Sequence, residues 1–407
     1  MESFDIIIIG AGPAGSTSSY YLSKLGFKVA LLEKKNIGRE KICGGGLSSY
    51  ALNELPFKLP DSVIERYIRG YNFVSPNNTI FTKKERNIVG ATVYRSVFDS
   101  FLINKAVDAN TTFIPNTSVK RIRATNNSYV VEEKYKSRYI IGADGANSIV
   151  KKAFKLGITQ KSKYVGMRAI LDFKDKGIEK YVLDPESIDF YFENGLRGYG
   201  WEFPLKNAIN IGVGILGTGK NTINKKLVTK FALTRFNIPK EILSDSKIEG
   251  FPIPVSTMPN NFSRDNVFLI GDAAGLVDPI SGEGVHYAIR SGKIVADTIV
   301  KDQMQLLNEN ASILFNKRIK KDIVADLRVT YKLRNFLDRL FMRNMDIWFK
   351  LMERNPFVFK YVQQLASKSA YYDIYKDVLN NIPKMVLDTI RGNVNIPGFA
   401  LQQKLYN

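Results

Sequence analysis

The sequence predicts an α/β fold in three parts: a parallel sheet flanked by helices, an antiparallel sheet inserted into it, and a helical C-terminal region. The first observation is the stretch "FDIIIIGAGPAG" near the start of the chain, in which an apolar run, interrupted only by Asp5, ends in a glycine-rich turn. The second is a series of short runs between residues 160 and 255 that are rich in β-branched and aromatic residues, which is typical of antiparallel strands. The third is the scarcity of glycine after residue 305, where apolar residues recur at helical spacing.

The first elements form a βαβ unit. Phe4–Ile9 is apolar except for Asp5 and ends at Gly10, which indicates a strand buried on both faces of a parallel sheet. Ser16–Leu25 is predicted to be a helix, and Phe27–Leu32 to be a second strand that ends at Glu33.

The later elements repeat this pattern. We expect a helix over 94–107 and a buried strand over Tyr139–Ile141 that ends in a glycine turn. The runs "RAILDFK", "SIDFYFE", "YGWEFPL" and "NAINIGVGIL" predict the antiparallel sheet. The run "NVFLIGDAAG" returns to a buried strand followed by glycine, and "GVHYAIRSGKIVADTIV" is its helix.

Composition limits the possible partners. The 407 residues include 59 Lys and Arg against 39 Asp and Glu, a formal charge of +20, which attracts nucleic acid, phosphorylated metabolites or an anionic membrane. Only the net charge favours nucleic-acid binding, and the sequence has no recognition motif for it, so we expect no nucleic-acid partner. No group of His, Cys and carboxylate residues has metal-ligand spacing, so we predict no metal.

Cellular location is predicted from three absences. The one cysteine, Cys43, allows no intrachain disulfide and fits a reducing interior. The chain opens without a secretory leader, and no apolar run approaches the ~18 residues that span a bilayer. We expect a cytoplasmic protein, either free or peripheral on the inner face of the cell membrane.

The first glycine loop predicts dinucleotide binding. Gly10, Gly12 and Gly15 match G-x-G-x-x-G between a strand and a helix, where they permit the tight turn, the approach of a pyrophosphate and close helix–strand packing. Glu33, at the end of the next strand, can accept hydrogen bonds from a ribose diol. Because its charge would repel a 2′-phosphate, the nucleotide should be FAD or NAD.

A second glycine turn, "GDAAGLVDPISGEG" at 271–284, favours FAD. FAD extends across the sheet and needs an anchor far from its adenosine. Asp272 follows a buried strand, where it can accept a ribitol hydroxyl, and a helix begins near Gly284. We therefore expect the two turns to hold opposite ends of one FAD.

These features predict a Rossmann-like FAD-binding domain with an inserted antiparallel β-sheet substrate domain and a helical C-terminal region. The FAD-binding domain is predicted to be discontinuous, over 1–60, 90–160 and 265–305. The substrate domain comprises 61–89 and 161–264, and the C-terminal region comprises 306–407.

The motifs "GAGPAG", "YRSVFDSFL", "GADGANSIVKK" and "GDAAGLVDPISGEGV" resemble, in order and spacing, the para-hydroxybenzoate-hydroxylase-like FAD superfamily. Within it, "KICGGGL" and "YGWEFP" are similar to the geranylgeranyl reductase family, which includes archaeal digeranylgeranylglycerophospholipid reductases. The likeness covers about residues 1–300. It implies that reduced FAD hydrogenates isolated double bonds of prenyl chains.

The resemblance also implies roles for individual residues. The cofactor-binding residues would be Gly10, Gly12, Pro13, Ala14, Gly15, Glu33, Lys34, Arg39, Cys43, Gly44, Gly45, Arg95, Asp144, Gly145, Gly271, Asp272, Gly282 and Gly284. The substrate-binding residues would be Gly45, Gly46, Tyr199, Trp201 and Phe203, and the catalytic residues Cys43, Tyr199 and Trp201.

Alternatives remain open for several of these residues. Tyr199 and Trp201 can stabilise a cation-like state of the substrate with their ring faces, or form a pair in the core of a sheet. Cys43 can be the proton donor or a small buried residue. The lone histidine, His286, lies within a predicted helix, where a structural role is favoured. The basic amphipathic stripe at 333–352 can contact an anionic membrane or lipid headgroup, or can be an ordinary packing helix.

The leading functional hypothesis is a prenyl reductase acting on a lipid with an anionic headgroup. Variants are the reduction of a quinone's isoprenoid tail and a flavin monooxygenase or halogenase on the same fold, although the W-x-W-x-I-P stretch of halogenases is present only as the partial "YGWEFP". An electron-transfer flavoprotein with an iron–sulfur site would need more than one cysteine. The electron source can be NAD(P)H, a ferredoxin or another reductant.

Overall fold

The computed structural model describes residues 1–157, 164–173, 178–216, 225–244, 246–255, 261–307, 309–340, 345, 349 and 401–403. Its helices are α1 (Pro13–Lys24), α2 (Ser49–Glu54), α3 (Arg95–Asp108), α4 (Ile149–Phe154), α5 (Lys225–Thr234), α6 (Lys240–Ser244), α7 (Val285–Gln303), α8 (Ala311–Ile319) and α9 (Ala325–Leu340). Short 3₁₀ turns cover Ile178–Tyr181 and Gly271–Ala274, and a π-helical turn over Lys320–Val324 joins α8 to α9.

The strands are β1 (Glu2–Ile9), β2 (Val29–Leu32), β3 (Gly46–Ser48), β4 (Arg66–Ile68), β5 (Gly70–Val74), β6 (Thr79–Lys84), β7 (Gly90–Thr92), β8 (Thr112–Ile114), β9 (Ile122–Ala124), β10 (Tyr129–Val131), β11 (Tyr135–Gly142), β12 (Tyr164–Asp172), β13 (Ser187–Tyr191), β14 (Gly198–Pro204), β15 (Ala208–Leu216), β16 (Glu249–Ile253), β17 (Ser263–Arg264), β18 (Val267–Leu269) and β19 (Leu401–Gln403).

The first sheet has a parallel core in the order β8-β2-β1-β11-β18. Its central strand β1 is buried from Ile6 to Ile9, as the unbroken apolar run predicts for a strand covered on both faces. The carboxyl ends of these strands meet at one edge, where open α/β sheets bind ligands. The predicted α/β fold with a Rossmann-like first domain is confirmed.

The second sheet has the order β16-β12-β15-β14-β13-β5-β6-β19. Its pairs are antiparallel except β13 with β5, which is parallel. This exception departs from the purely antiparallel sheet that was predicted. β5 and β6 are contributed by an earlier segment of the chain, so no hairpin turn forces β5 to run opposite to β13.

A third, small antiparallel sheet has the order β3-β7-β4. β4 falls in the segment 61–89 that was assigned to the inserted domain, but it pairs with β7 instead of joining the second sheet. The domain boundaries themselves stay a prediction.

The C-terminal region is helical over α8 and α9. None of the helices in the described part of the chain is long and apolar enough to cross a membrane. Much of the predicted basic stripe, including 341–344 and 346–348, lies outside the described residues. Arg334, which was placed on that stripe, is buried: its Nε lies 2.7 Å from Asp338 Oδ1, and its guanidinium lies 5.5 Å from the ring centre of Tyr164.

Candidate active site

A groove with a cavity of about 520 Å³ opens at the carboxyl edge of the first sheet. Its size is within the range of cofactor sites. Fourteen of the predicted cofactor residues line it: Gly10, Gly12, Pro13, Ala14, Glu33, Lys34, Arg39, Cys43, Arg95, Asp144, Gly145, Asp272, Gly282 and Gly284. The fold thus brings together residues from both glycine turns, although about 260 positions separate them in the chain.

In the glycine loop after β1, Gly15 allows close packing and Gly12 leaves open space. A Cβ on Gly15 would lie 1.9 Å from the carbonyl oxygen of Gly10, so this glycine permits contact between helix and strand. A Cβ on Gly12 would meet only Arg39 Nη2, at 3.8 Å, and would project into the groove. Gly12 is the N-cap of α1, and the first turn of that helix carries no acidic residue that would compete with an anionic ligand.

Glu33 belongs to a buried charge network along the groove. Its Oε2 accepts the N–H of Ala11 at 3.0 Å and lies 3.3 Å from Arg39 Nε. Asp99 accepts two hydrogen bonds from Arg95, at 2.9 and 3.0 Å, and its Oδ2 lies 3.4 Å from Arg39 Nη2. Burial opposes the charge of Arg95, but the Asp99 carboxylate raises the pKa of Arg95 above its usual value. The network fixes both cations in the wall of the groove.

Asp99 was not predicted as a site residue. Its position four residues after Arg95 on one helix was the available signal, because such pairs face each other. Its second cation, Arg39, is 60 residues earlier and had no local signal.

Asp144 caps the N-terminus of α4. Its Oδ2 accepts the backbone N–H groups of Ile149 and Val150 at 2.6 and 3.3 Å. Its Oδ1 is buried and has no hydrogen-bond partner among the described residues. Burial raises the pKa of this carboxyl. An unpartnered oxygen on the wall of the groove fits a hydroxyl or N–H group of a bound cofactor.

Asp272 lies on the opposite side of the groove, in the turn that follows β18. Its Oδ2 lies 3.4 Å from Lys41 Nζ, and a Cβ on Gly284 would lie 3.2 Å from its Oδ1. Gly271 does not line the groove; its N–H donates to Ser291 Oγ at 3.0 Å and thereby holds the turn against α7.

A second cavity, of about 190 Å³ and mostly apolar, adjoins the groove. It is lined by the loop of residues 43–48, by β14 of the second sheet and by the turn of residues 279–285. Cys43, Gly282 and Gly284 line both cavities. Phe251, Ile253 and Val285 also line both cavities, so a ligand held in the groove borders the apolar cavity at these six residues.

Backbone geometry sets the shape of the Cys43–Gly46 loop. Gly45 has φ +79°, and a Cβ there would lie 2.4 Å from the carbonyl oxygen of Val93. Cys43 Sγ accepts the N–H of Gly45 at 3.4 Å. A Cβ on either Gly44 or Gly46 would lie 3.0 Å from Phe203 Cε2. Gly45 therefore requires glycine, and a side chain at Gly44 or Gly46 would have to displace the Phe203 ring.

Asn210 connects the loop to the second sheet. Its Nδ2 donates to the carbonyl oxygen of Cys43 at 2.9 Å, and its Oδ1 accepts the indole N–H of Trp201 at 3.1 Å. Asn210 is buried on β15 and had no signal in the sequence, because the contact depends on how two sheets meet.

The predicted substrate aromatics form one wall of the apolar cavity. The ring centres of Tyr199 and Trp201 are 6.5 Å apart, and those of Trp201 and Phe203 are 6.3 Å apart. The Tyr199 hydroxyl donates to the carbonyl oxygen of Ser281 and so joins this wall to the second glycine turn. Trp201 packs over Gly212, where a Cβ would lie 2.2 Å from the indole.

His286 lies outside both cavities. It is buried on α7, with Nε2 3.9 Å from Glu54 Oε2. Burial lowers the pKa of His286 to about 4, so it is neutral near pH 7.

The groove fits FAD on several counts. It has a helix N-terminus and an open glycine for a pyrophosphate, the carboxylates Glu33 and Asp272 at well-separated positions, and an orphan oxygen on Asp144. Its far end borders an apolar, aromatic cavity. The fold and the site together define an FAD-dependent oxidoreductase.

The sequence of this chain is similar to those of known FAD-binding proteins and reductases. Residues 116–300 match the family described as FAD binding domain, and residues 8–72 match the NAD(P)-binding Rossmann-like domain. Digeranylgeranylglycerophospholipid reductase of Methanococcus vannielii is 30% identical over 316 residues, which cover 74% of this chain and 77% of that protein. Geranylgeranyl diphosphate reductase of Rhodobacter capsulatus is 30% identical over 304 residues, covering 72% and 74%. This chain belongs to the geranylgeranyl reductase family.

A solved structure supports the fold. The structure of a geranylgeranyl bacteriochlorophyll reductase-like protein from Thermoplasma acidophilum matches with a TM-score of 0.74 at 22% identity, covering 97% of this chain and 100% of that one.

Proposed function

We propose that this protein uses reduced FAD to hydrogenate isolated double bonds of a geranylgeranyl chain, carried by a membrane lipid with an anionic headgroup. The observation that carries the proposal is the shared wall of Cys43, Gly282 and Gly284 between the cofactor groove and the apolar cavity. A prenyl tail in that cavity would lie beside the cofactor and away from water.

We assign different parts of the groove to different parts of FAD. We assign the adenosine and pyrophosphate to the wall formed by Gly10, Gly12, Glu33, Arg39 and Arg95, because it combines the start of α1 with fixed cations. We assign the ribitol to Asp272. The flavin ring is then placed where the groove meets Cys43–Gly46 and Gly282–Gly284.

The apolar cavity suits the chemistry of an unconjugated alkene. Reduced FAD, when bound, supplies a hydride with its electron pair. Since no carbonyl polarises the double bond, the more substituted carbon becomes cation-like as a proton joins the other. Tyr199 and Trp201 line this mostly apolar cavity, and the faces of their rings would stabilise positive charge. Cys43 remains a candidate for the proton donor.

Mass spectrometry of the lipid tests the function. The purified flavoprotein is photoreduced without oxygen and mixed with a geranylgeranyl lipid or with a prenylated quinone. We expect a gain of two mass units for each double bond of the lipid that is reduced. A gain seen only with the quinone would mean that the substrate is a prenylated quinone and not the lipid. An unchanged lipid, together with rapid oxygen consumption in air, would indicate a monooxygenase.

We also propose that the lipid is taken from an anionic membrane surface, which the net charge of +20 supports. Cosedimentation with vesicles that contain anionic lipid, but not with neutral vesicles, is the expected result, and it should weaken with added salt. Equal binding to both kinds of vesicle would contradict it. The reductant is left open between a nicotinamide nucleotide, a ferredoxin and another donor.

Asp272→Ala is expected to purify largely colourless. The change removes a charge-assisted hydrogen bond to the ribitol, worth about 1.5–3 kcal/mol, and leaves Lys41 without its partner at 3.4 Å. The FAD-to-protein ratio, measured by absorbance after gel filtration, checks this. Lys41→Ala is the matched control, which breaks the same ion pair and should retain its colour; full yellow occupancy of Asp272→Ala would contradict the assignment.

A further inference from the structure

We propose that Glu283 is the residue that donates a proton to the alkene. The inference rests on the proposed function and deepens it, because hydride transfer to one carbon of an isolated double bond requires a proton on the other. Glu283 lies in the second glycine turn, between Gly282 and Gly284, and it is one of the residues that line the apolar cavity. Among the described residues it is the only carboxyl group that does so.

A hydrogen bond from Ser48 holds one oxygen of the Glu283 carboxyl group. Ser48 Oγ donates to Oε1 at 2.5 Å. Oε2 has no hydrogen bond to any described residue. Since Gly282 and Gly284 border the cofactor groove as well, the carboxyl group lies next to the boundary where hydride and alkene would meet.

Several hydrogen bonds hold the turn that carries Glu283. Asp278 Oδ1 accepts the N–H groups of Ile280 and Ser281 at 2.8 and 2.7 Å and the Ser281 hydroxyl at 2.9 Å. The N–H of Glu283 donates to Ser281 Oγ at 3.2 Å, and Tyr199 donates to the Ser281 carbonyl. These bonds fix the acid relative to the aromatic wall, as a proton donor requires.

The surroundings suit an acid that works near neutral pH. Burial raises the pKa of Glu283 to about 7, with the hydrogen bond from Ser48 lowering it and the charge of Asp278 raising it. Three tyrosine hydroxyls also belong to residues of this cavity: those of Tyr71, Tyr164 and Tyr199. Burial raises their pKa values above 10, so they are weaker proton donors than the Glu283 carboxyl group. Ser48 of β3 contacts Glu283 through its hydrogen bond, and the charge of Asp278, in the same turn, acts on Glu283. The charge of Glu283 in turn raises the pKa values of Tyr50 of α2, Tyr71 of β5, Tyr199 of β14 and Tyr287 of α7.

The step balances. The proton on Glu283 passes to one carbon as the π bond breaks, and the other carbon receives a hydride with its electron pair from the reduced flavin. Two C–H bonds form, the alkene gains two electrons and the flavin loses two. Glu283 is left as a carboxylate and regains a proton from water before the next turnover.

A single-turnover experiment with the holoenzyme separates Glu283 from Cys43. Glu283→Gln keeps an acceptor for Ser48 but carries no proton of suitable acidity, so we expect FAD to be retained and hydrogenation to slow by about 100-fold or more. Cys43→Ser is the matched variant and should slow far less. Hydrogenation by Glu283→Gln at the wild-type rate would overturn the proposal.

The pH dependence gives a second test. Protonated Glu283 is the active form, so the wild-type rate should fall as the pH rises through about 7. Ser48→Ala removes a hydrogen bond that favours the charged form, so the fall should move to higher pH, and Ser48→Thr should restore it. A fall that does not move in Ser48→Ala would contradict the assignment.

Infrared spectroscopy gives a readout that is independent of turnover. A carbonyl band of a protonated carboxylic acid should disappear as the pH rises through about 7 in the wild type and should be absent in Glu283→Gln. Persistence of that band in the variant would overturn the proposal.

If Glu283→Gln does not fold, Glu283→Asp is the second variant. It should hydrogenate slowly, and its rate should still fall as the pH rises; a rate that does not fall at high pH would count against Glu283. A wild type that leaves the lipid unchanged would instead refute the proposed function.

Discussion

Gly12→Ala is expected to fold normally and to lose FAD. The added methyl group would meet only Arg39 Nη2 at 3.8 Å, an ordinary contact, so the free energy of unfolding should change by less than about 1 kcal/mol. The same methyl group would occupy the space in which a pyrophosphate approaches the loop. A loss of about 3 kcal/mol in binding raises the dissociation constant of FAD by roughly 100-fold.

Gly15→Ala, three residues later, is the matched control. Its Cβ would lie 1.9 Å from the carbonyl oxygen of Gly10, so α1 and β1 would have to move apart, at a cost of about 3 kcal/mol or more. We expect low yield and an early thermal transition. Thermal melts followed by circular dichroism, with FAD titrated into each apoprotein, measure both effects. Wild-type FAD affinity in a folded Gly12→Ala protein would place the pyrophosphate elsewhere.

Trp201→Leu is expected to retain FAD and to hydrogenate the lipid about 30-fold more slowly. Trp201 is buried in the wall of the apolar cavity and does not line the groove, so its loss should leave the cofactor in place. A cation near a desolvated indole face is stabilised by about 2 kcal/mol, which leucine cannot supply. Leucine fills much of the volume, and this limits the cavity that alanine would leave.

Trp201→Phe separates the ring face from the hydrogen bond. It keeps an aromatic face but removes the indole N–H that Asn210 accepts at 3.1 Å. We expect its rate of flavin oxidation by lipid to lie between those of the wild type and Trp201→Leu, in anaerobic stopped-flow measurements. Equal rates for the leucine variant and the wild type would remove the aromatic face from the mechanism.

Local patterns predicted the groove well. The apolar run before Gly10, the glycine spacing and Glu33 at the end of the next strand are properties of one short segment, and the structure has β1, α1 and β2 in that order. Asp272 was predicted for the same reason, because its strand and turn repeat the pattern. Such features are visible in sequence because neighbouring residues determine them.

Contacts between distant segments were less predictable. Asn210 joins Trp201 to Cys43 through side-chain geometry that has no periodic signature. Arg334 matched a basic surface stripe, yet it is buried beside Asp338. Glu283 stood within a quoted motif, but its raised pKa depends on burial by elements far away in the chain.

A crystal structure of the protein with FAD and a geranylgeranyl lipid tests the central claim most directly. We expect adenosine beside Glu33, ribitol at Asp272, the flavin ring at the loop of Cys43 and the prenyl tail against Tyr199 and Trp201. A flavin ring turned away from the apolar cavity, or a lipid bound outside it, would contradict the account.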